Sequence, residues 1–180
     1  MTAATSPDGT VRLARPEDAA EIAAVHVGTW QHAYAGLLPD DFLAGLDIDQ
    51  RARDWRTRIS EPRNGIFALV FEQLGRVRGF VSGGPSREGD AGGEVYAIYV
   101  DPAWQGQGAG TRLLAAAARR LTEARFTEAS LWVLADNHPS RRFYESRGWR
   151  PDGTAKPWSY GGGRSVMEVR YVKPLTSVPG

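Results

Sequence analysis

The stretch that decides the fold is EVYAIYVDPAWQGQGAGT, residues 94–111. Residues 94–100 are mostly β-branched, aromatic or small, a composition that predicts a strand, and Asp101-Pro102 ends that strand. The chain then turns through alternating glycines into an apolar helix predicted over Thr111–Ala124. A glycine-rich turn that leads into a helix presents several backbone N–H groups at the positive end of the helix dipole. The segment therefore predicts a phosphate-binding turn, with an ordinary tight turn as the alternative.

Two widespread phosphate-binding motifs do not fit this turn. A P-loop requires a lysine after its last glycine, and Gly110 is followed by Thr111. A dinucleotide-binding fingerprint requires the frame G-x-G-x-x-G near the start of the chain, whereas Gly106, Gly108 and Gly110 simply alternate. The kind of phosphate compound that binds here must therefore be inferred from the rest of the sequence.

The flanking sequence predicts a mixed α/β (α+β) single domain with about seven strands and about four helices. Further strands are predicted over Val11–Ala14, Ile66–Glu72, Val77–Gly83, Ala129–Leu134 and Val166–Val172. Helices are predicted from Pro16 to Trp30, in a short piece after Pro39, over Ile48–Ile59 and over Pro139–Arg147. Residues 1–9 are small and polar and predict a disordered lead-in. Pro62 and Asn64-Gly65 predict a turn.

Composition excludes several classes of protein. The chain has 180 residues, of which 42% are hydrophobic and 24% charged, the balance of one soluble globular domain. It has no cysteine, which excludes disulfides, thiolate metal sites and cysteine nucleophiles. A formal net charge of +1 gives no steering toward nucleic acid. No apolar run is long enough for a membrane span and no secretory signal is evident, so a cytoplasmic protein without a membrane partner is expected.

Three segments together resemble the GNAT superfamily of N-acetyltransferases. Gln105-x-x-Gly108-x-Gly110 is similar to that family's [Q/R]-x-x-G-x-[G/A] signature. The segments similar to other parts of the family are 98–104, 131–133 with Asn137, 142–145 with Gly148-Trp149, and the N-terminal strand and helix followed by Trp30, Tyr34 and Gly36. The resemblance covers about residues 11–172. It implies an N-acetyltransferase domain over 10–174, a tail over 175–180, and two central parallel strands that splay apart in a mostly antiparallel sheet.

The resemblance also implies acetyl-CoA as co-substrate, with no metal. The backbone amides of Gln105, Gly106, Gln107, Gly108, Ala109, Gly110 and Thr111 would hold the pyrophosphate. The main chain of the strand containing Ile98, Tyr99 and Val100 would pair with the pantetheine arm. The N–H of Ile98 would face the thioester carbonyl, and Asn137 would contact the pantetheine. The histidines His26, His32 and His138 lack the spacing of a metal site.

Acetyl transfer to an amine needs a base for the ammonium and an acid for the thiolate. Tyr144 lies where the family has its general acid, and the alternative is a tyrosine that only packs on the cofactor. Glu94 lies where several family members have a general base, and the alternative is a solvated acid beside a loop. If Glu94 is the base, Glu94→Gln shifts the pH–rate profile.

The resemblance makes Trp30, Tyr34 and Tyr96 candidates for the acceptor pocket, although the helical spacing of Trp30 favours a core position for that residue. Aromatic walls suit a cationic amine through cation–π contact. The expected acceptor is the primary amine of a small molecule or peptide, acetylated by direct transfer in a ternary complex. The alternative is a non-catalytic acyl-CoA sensor of the same fold. Dimers are common in the family, so a homodimer is compatible with the sequence.

Overall fold

The fold is a seven-stranded sheet with helices on both faces, as the computed structural model of residues 9–61 and 65–175 describes it. The strands are β1 (Thr10–Leu13), β2 (Phe67–Gln73), β3 (Arg76–Pro85), β4 (Gly93–Val100), β5 (Glu128–Leu134), β6 (Arg150–Gly161) and β7 (Arg164–Pro174). The helices are α1 (Ala19–Ala33), α2 (Asp40–Ala44), α3 (Ile48–Ser60), α4 (Ala109–Glu123) and α5 (His138–Glu145). Short 3₁₀ turns occupy Pro16–Asp18 and Pro102–Trp104.

The sheet has the order β1-β2-β3-β4-β5-β7-β6. Every neighbouring pair is antiparallel except β4 and β5, which are parallel. The parallel pairing covers only Gly93–Val95 against Ala129–Leu131, so the carboxyl halves of the two strands diverge. This confirms the predicted mixed sheet with a splayed central pair.

A β-bulge in β4 lies where the two strands part. Gly83 of β3 pairs with Val95 and Ser82 pairs with Ala97, so Tyr96 is the extra residue. A bulge bends its strand, increases the local twist and shifts the alternation of side chains. As a result Val95 and Ile98 both pack toward α4, while Ala97 and Tyr99 pack toward α1. The bulge therefore places a gap at the centre of the sheet.

Apolar cores on the two faces hold the gap in place. On one face Leu113 and Leu121 of α4 are fully buried against the sheet. On the other face Ile22 of α1 and Trp55 of α3 pack on Phe80. Because α4 begins directly after the glycine-rich turn, its burial fixes the turn at the open end of β4.

The structure adds one strand and shifts several boundaries. The sequence analysis did not identify β6, because prolines 151 and 157 and a glycine at 153 interrupt its pattern. Those residues are tolerated since β6 is an edge strand whose register breaks between Pro151 and Ala155. Helix α4 begins at Ala109, two residues before the predicted start. The predicted lead-in lies outside the described residues except Gly9, as does the turn at 62–64.

Candidate active site

A cavity of about 440 Å³ fills the gap between the diverging halves of β4 and β5. Its lining combines the inner edges of both strands, the start of α4, and α5. The predicted site residues on its wall are Tyr34, Tyr96, Ile98, Tyr99, Val100, Gln105, Gly110, Asn137 and Tyr144. The cavity is thus lined by residues that lie far apart in the sequence and were predicted to share one site.

The open edge of β4 directs main-chain groups into this cavity. The N–H of Asp101 donates to the carbonyl of Arg78 on β3, at 2.9 Å. Alternate residues of a strand direct their main-chain groups to opposite edges, so Val100 and Ile98 direct theirs toward β5. The carbonyl of Val100 accepts hydrogen bonds from Thr29 Oγ1 at 3.1 Å and Gln105 Nε2 at 3.2 Å. An extended ligand could pair with this edge as an added strand.

The turn before α4 leaves backbone donors free. Gly106 and Gly108 have φ values of 76° and 87°, which side chains other than glycine rarely adopt. The first backbone bond of α4 runs from the N–H of Arg112 to the carbonyl of Gly108, at 3.1 Å. Within residues 9–61 and 65–175, no N–H from Gly106 to Thr111 donates to a backbone or side-chain acceptor. These donors converge at the positive end of a fifteen-residue helix, an arrangement that suits an anion.

An arginine adds full positive charge to this end of α4. The guanidinium of Arg147 donates to Thr111 Oγ1 through Nε at 2.9 Å and Nη2 at 2.6 Å. It also lies over the ring of Phe143, at 3.9 Å from the ring centroid. The same ring approaches Gly110 so closely that a Cβ there would lie 3.2 Å from Phe143 Cζ. A side chain at position 110 would therefore require the ring of Phe143 to shift by a few tenths of an ångström.

Helix α5 supplies the two predicted polar residues. Asn137 is buried and caps the helix, its Oδ1 accepting from the N–H of Ser140 at 3.2 Å. Tyr144 is buried, and its hydroxyl has no hydrogen-bond partner among the described residues. Burial, followed by the nearby Tyr99, raises the pKa of Tyr144 well above its ordinary value. Tyr144 therefore stays protonated at neutral pH and remains a hydrogen-bond donor.

Glu94 is not on the wall of either large cavity. Its side chain has 0% exposure, and its carboxylate is held by Arg87. The backbone N–H of Arg87 donates to Oε2 at 2.8 Å and Nε donates to Oε1 at 2.9 Å, while Nη2 makes a third, shorter contact with Oε1. The alternative of a solvated acid is therefore wrong, because Glu94 is buried and holds the loop before β4 through Arg87. Its role as the base stays a prediction.

A second cavity of about 1100 Å³ lies on the α1 side of the sheet. It includes all three predicted acceptor residues, Trp30, Tyr34 and Tyr96. Trp30 also packs edge-on against Tyr34 and Trp158, with ring centroids 5.3 and 5.6 Å away. The residues that line both cavities are Tyr34, Tyr96, Ala97, Tyr99, Trp132 and Val133. The two cavities therefore meet at the bulge of β4.

Several lining residues were not identified from the sequence. Thr29 bonds the open edge of β4, Phe143 packs on the turn, and Trp132 and Glu168 face the larger cavity. Alternation along β5 and β7 could have placed Trp132 and Glu168 on one face of the sheet. No local pattern would have shown which face borders a cavity. Within the described part of the chain, no helix is long and apolar enough to cross a membrane.

Comparisons with known proteins agree with this geometry. The model of the acetyltransferase (GNAT) family matches residues 30–149, the stretch from the end of α1 to the residue before β6. The N-acetyltransferase YuaI of Bacillus subtilis is 40% identical over 139 residues, which are 76% of this chain and 78% of that protein.

Two solved structures have the same fold. PaiA N-acetyltransferase from Thermoplasma acidophilum, in complex with coenzyme A, superposes with a TM-score of 0.69 at 19% identity, over 89% of this chain and 97% of that one. The acetyltransferase yncA from Salmonella typhimurium, with acetyl-CoA, superposes with a TM-score of 0.67 at 24% identity, over 96% of each chain. The splayed strands and the glycine turn therefore occur in a chain that belongs to the GNAT family of acetyltransferases.

Proposed function

We propose that this protein transfers the acetyl group of acetyl-CoA to a primary amine of a small molecule or peptide, by direct transfer in a ternary complex. The observation that carries the proposal is the junction of the two cavities at the bulge of β4. One cavity leads to free backbone donors at the start of α4, and the other leads to aromatic side chains. A donor and an acceptor can therefore approach the same point from opposite sides.

The smaller cavity fits the chemistry of coenzyme A. The free N–H groups of residues 106–111, with the N–H of Gln105 and the positive charge of Arg147, would hold the pyrophosphate. The main-chain groups of Ile98 and Val100 would pair with the amides of the pantetheine arm. Thr29 and Gln105 each donate a hydrogen bond to the carbonyl of Val100. An amide N–H of the cofactor could replace either donor. The solved GNAT relatives with coenzyme A or acetyl-CoA support this assignment.

Two groups of this chain would promote the transfer itself. The N–H of Ile98 would donate to the thioester oxygen, where negative charge develops as the amine attacks. Tyr144 would donate a proton to the departing sulfur, because burial keeps its phenol neutral. A protein that only sensed acyl-CoA would not need a neutral donor there, so Tyr144 favours the enzyme over the sensor.

The test is calorimetric titration with acetyl-CoA, together with a free-thiol assay on a panel of primary amines. We expect saturable binding, and thiol release only when an amine is added. The control variant is Gly28→Ala, within α1 and outside both cavities, where a methyl group meets no atom within 4 Å. Absence of acetyl-CoA binding would contradict the cofactor assignment, whereas binding without release from any amine would support the sensor.

A further inference from the structure

A single partly buried carboxylate faces the aromatic acceptor cavity from β7. Glu168 lines this cavity, and its side chain is 13% exposed. The wall of the same cavity includes the rings of Trp30, Tyr34, Tyr99, Trp132 and Trp158. Among the described residues the cavity has two other carboxylates on its wall, Glu61 and Glu88, and both residues are exposed. Glu168 is therefore the carboxylate of this wall that is shielded from solvent.

The charged neighbours of Glu168 make no close hydrogen bond to its carboxylate oxygens. Lys156 Nζ lies 3.6 Å from Glu168 Oε1, longer than a good hydrogen bond. The same ammonium makes its short contact with Glu88 and lies 4.0 Å from the ring centroid of Trp132. Lys156 is thus directed mainly to Glu88 and Trp132. The oxygens of Glu168 remain available to a cation that enters the cavity.

Glu168 shares its cavity wall with two tyrosines of the junction, Tyr34 and Tyr99. Burial raises the pKa values of both tyrosines, and the charge of Glu168 adds a smaller increase. The hydroxyls of these tyrosines are 3.4 Å apart, and both residues line both cavities. A substrate nitrogen held near Glu168 would therefore lie close to the place where the acyl donor ends. Glu94, fully buried and bound by Arg87, has no such access.

The cavity favours one type of amine. Aromatic walls accommodate an apolar body and attract a cation through their ring faces. Glu88 is matched by Lys156 and Glu94 by Arg87, so Glu168 contributes the one unbalanced negative charge among these groups. A second ammonium on the substrate would find only exposed carboxylates, of which Glu88 is already paired, and would meet Lys156, Arg58 and Arg87 on the same wall. The charge pattern thus selects a monoamine over a polyamine.

We propose that the carboxylate of Glu168 binds the ammonium group of an apolar or aromatic monoamine and takes its proton before acetyl transfer. This inference rests on the proposed function. Glu168 accepts one proton from R–NH₃⁺, directly or through one water, and the free amine forms the new C–N bond as the C–S bond breaks. Tyr144 gives its proton to the sulfur and regains one from the attacking nitrogen. Glu168 then releases its proton to solvent, so the balance is amide, thiol and one proton.

The binding experiment uses the full chain saturated with coenzyme A, titrated calorimetrically with 2-phenylethylamine. Wild type should bind this amine at least about ten-fold tighter than neutral 2-phenylethanol or dicationic 1,4-diaminobutane. Glu168→Gln should lose that preference, whereas Glu17→Gln, an exposed site outside both cavities, should stay within about two-fold of wild type. Unchanged binding by Glu168→Gln, or no binding of 2-phenylethylamine to the loaded wild type, overturns the inference.

Coenzyme A titration of each variant separates this result from the proposed function. Glu168 does not line the cofactor cavity, so Glu168→Gln should bind coenzyme A like wild type. Failure of wild type to bind coenzyme A would overturn the proposed function itself. If Glu168→Gln does not fold, the comparison of amine with alcohol on wild type still decides the inference.

The pH dependence provides a readout that a structural role would not change. Burial raises the pKa of Glu168 above its ordinary value despite Lys156. The groups that act on Glu168 or respond to it are Lys156, Arg87, Glu88, Tyr34 and Tyr99. The preference for amine over alcohol should disappear as pH falls through this raised pKa, and Glu168→Gln should show no such transition. A preference that persists in acid overturns the inference.

Discussion

Tyr144 shows how burial prepares one side chain for proton donation. A phenol taken out of water loses the solvation of its anion, so its pKa rises and the neutral form persists. Its hydroxyl is not committed to another group among the described residues. Tyr144 is therefore the candidate donor because of its buried position on α5, and not because its phenol is unusually acidic.

Replacement of Tyr144 by Phe removes the hydroxyl and keeps the packing. We expect kcat to fall about 100-fold, the lower range for loss of a general acid. The dissociation constant for acetyl-CoA should change by less than about two-fold, because the ring remains. Steady-state kinetics with calorimetry measures both. Tyr160→Phe, outside both cavities, is the control, and equal kcat values for the two variants would contradict the acid role.

The turn into α4 is the element that prepares the cofactor site before any ligand arrives. Its glycines hold left-handed backbone conformations, and the helix behind it is fixed by buried leucines. The free donors are therefore ordered by the folding of the core. Binding then costs little conformational entropy, which favours affinity.

Gly108→Ala tests that preorganisation. At a φ of 87° an alanine side chain is strained although no atom lies within 4 Å of its Cβ, and we expect a loss of about 1 kcal/mol in the free energy of unfolding. Affinity for acetyl-CoA should fall at least about ten-fold as the donors shift. Gly28→Ala, within α1, should raise stability by up to about 1 kcal/mol and leave affinity unchanged. Urea unfolding and calorimetry compare the pair, and equal affinities would contradict the account.

At the scale of the whole molecule, a buried histidine links folding to pH. His26 Nδ1 accepts a hydrogen bond from Trp55 Nε1 at 3.2 Å, which joins α1 to α3 over the sheet. Burial lowers the pKa of His26 from 6.5 to about 3, with smaller effects from Arg51 and Arg58. Below pH 6.5, His26 is protonated in the unfolded chain but stays neutral in the folded chain. The folded state therefore loses stability as the pH falls from that value.

Within about pH 5.5 to 4, this single group should lower the free energy of unfolding by about 1.4 kcal/mol per pH unit. His26→Gln keeps an acceptor for Trp55 and removes the titration, so its pH dependence should be flatter by that amount. Urea unfolding across this window measures the difference. Equal slopes for the variant and wild type would show that His26 is charged in the folded state.

The sequence was sufficient for local features and insufficient for packing between distant segments. Periodicity and glycine placement predicted β4, its turn and α4, because each depends on neighbouring residues. The anchoring of Glu94 by Arg87 and the exposure of Glu168 to a cavity depend on how strands and loops meet. Strand β6 was not predicted because Gly153 and Pro157 have low strand propensity. An edge strand tolerates both residues, since its outer side needs no partner strand.

The central claim is that the N–H groups of the turn and the open edge of β4 bind coenzyme A. The most direct measurement is amide NMR of the ¹⁵N-labelled chain during titration with coenzyme A. We expect the largest shifts at the amides of residues 105–111, with further shifts at Ile98 and Val100. Shifts confined to other regions, or none with excess coenzyme A, would contradict it.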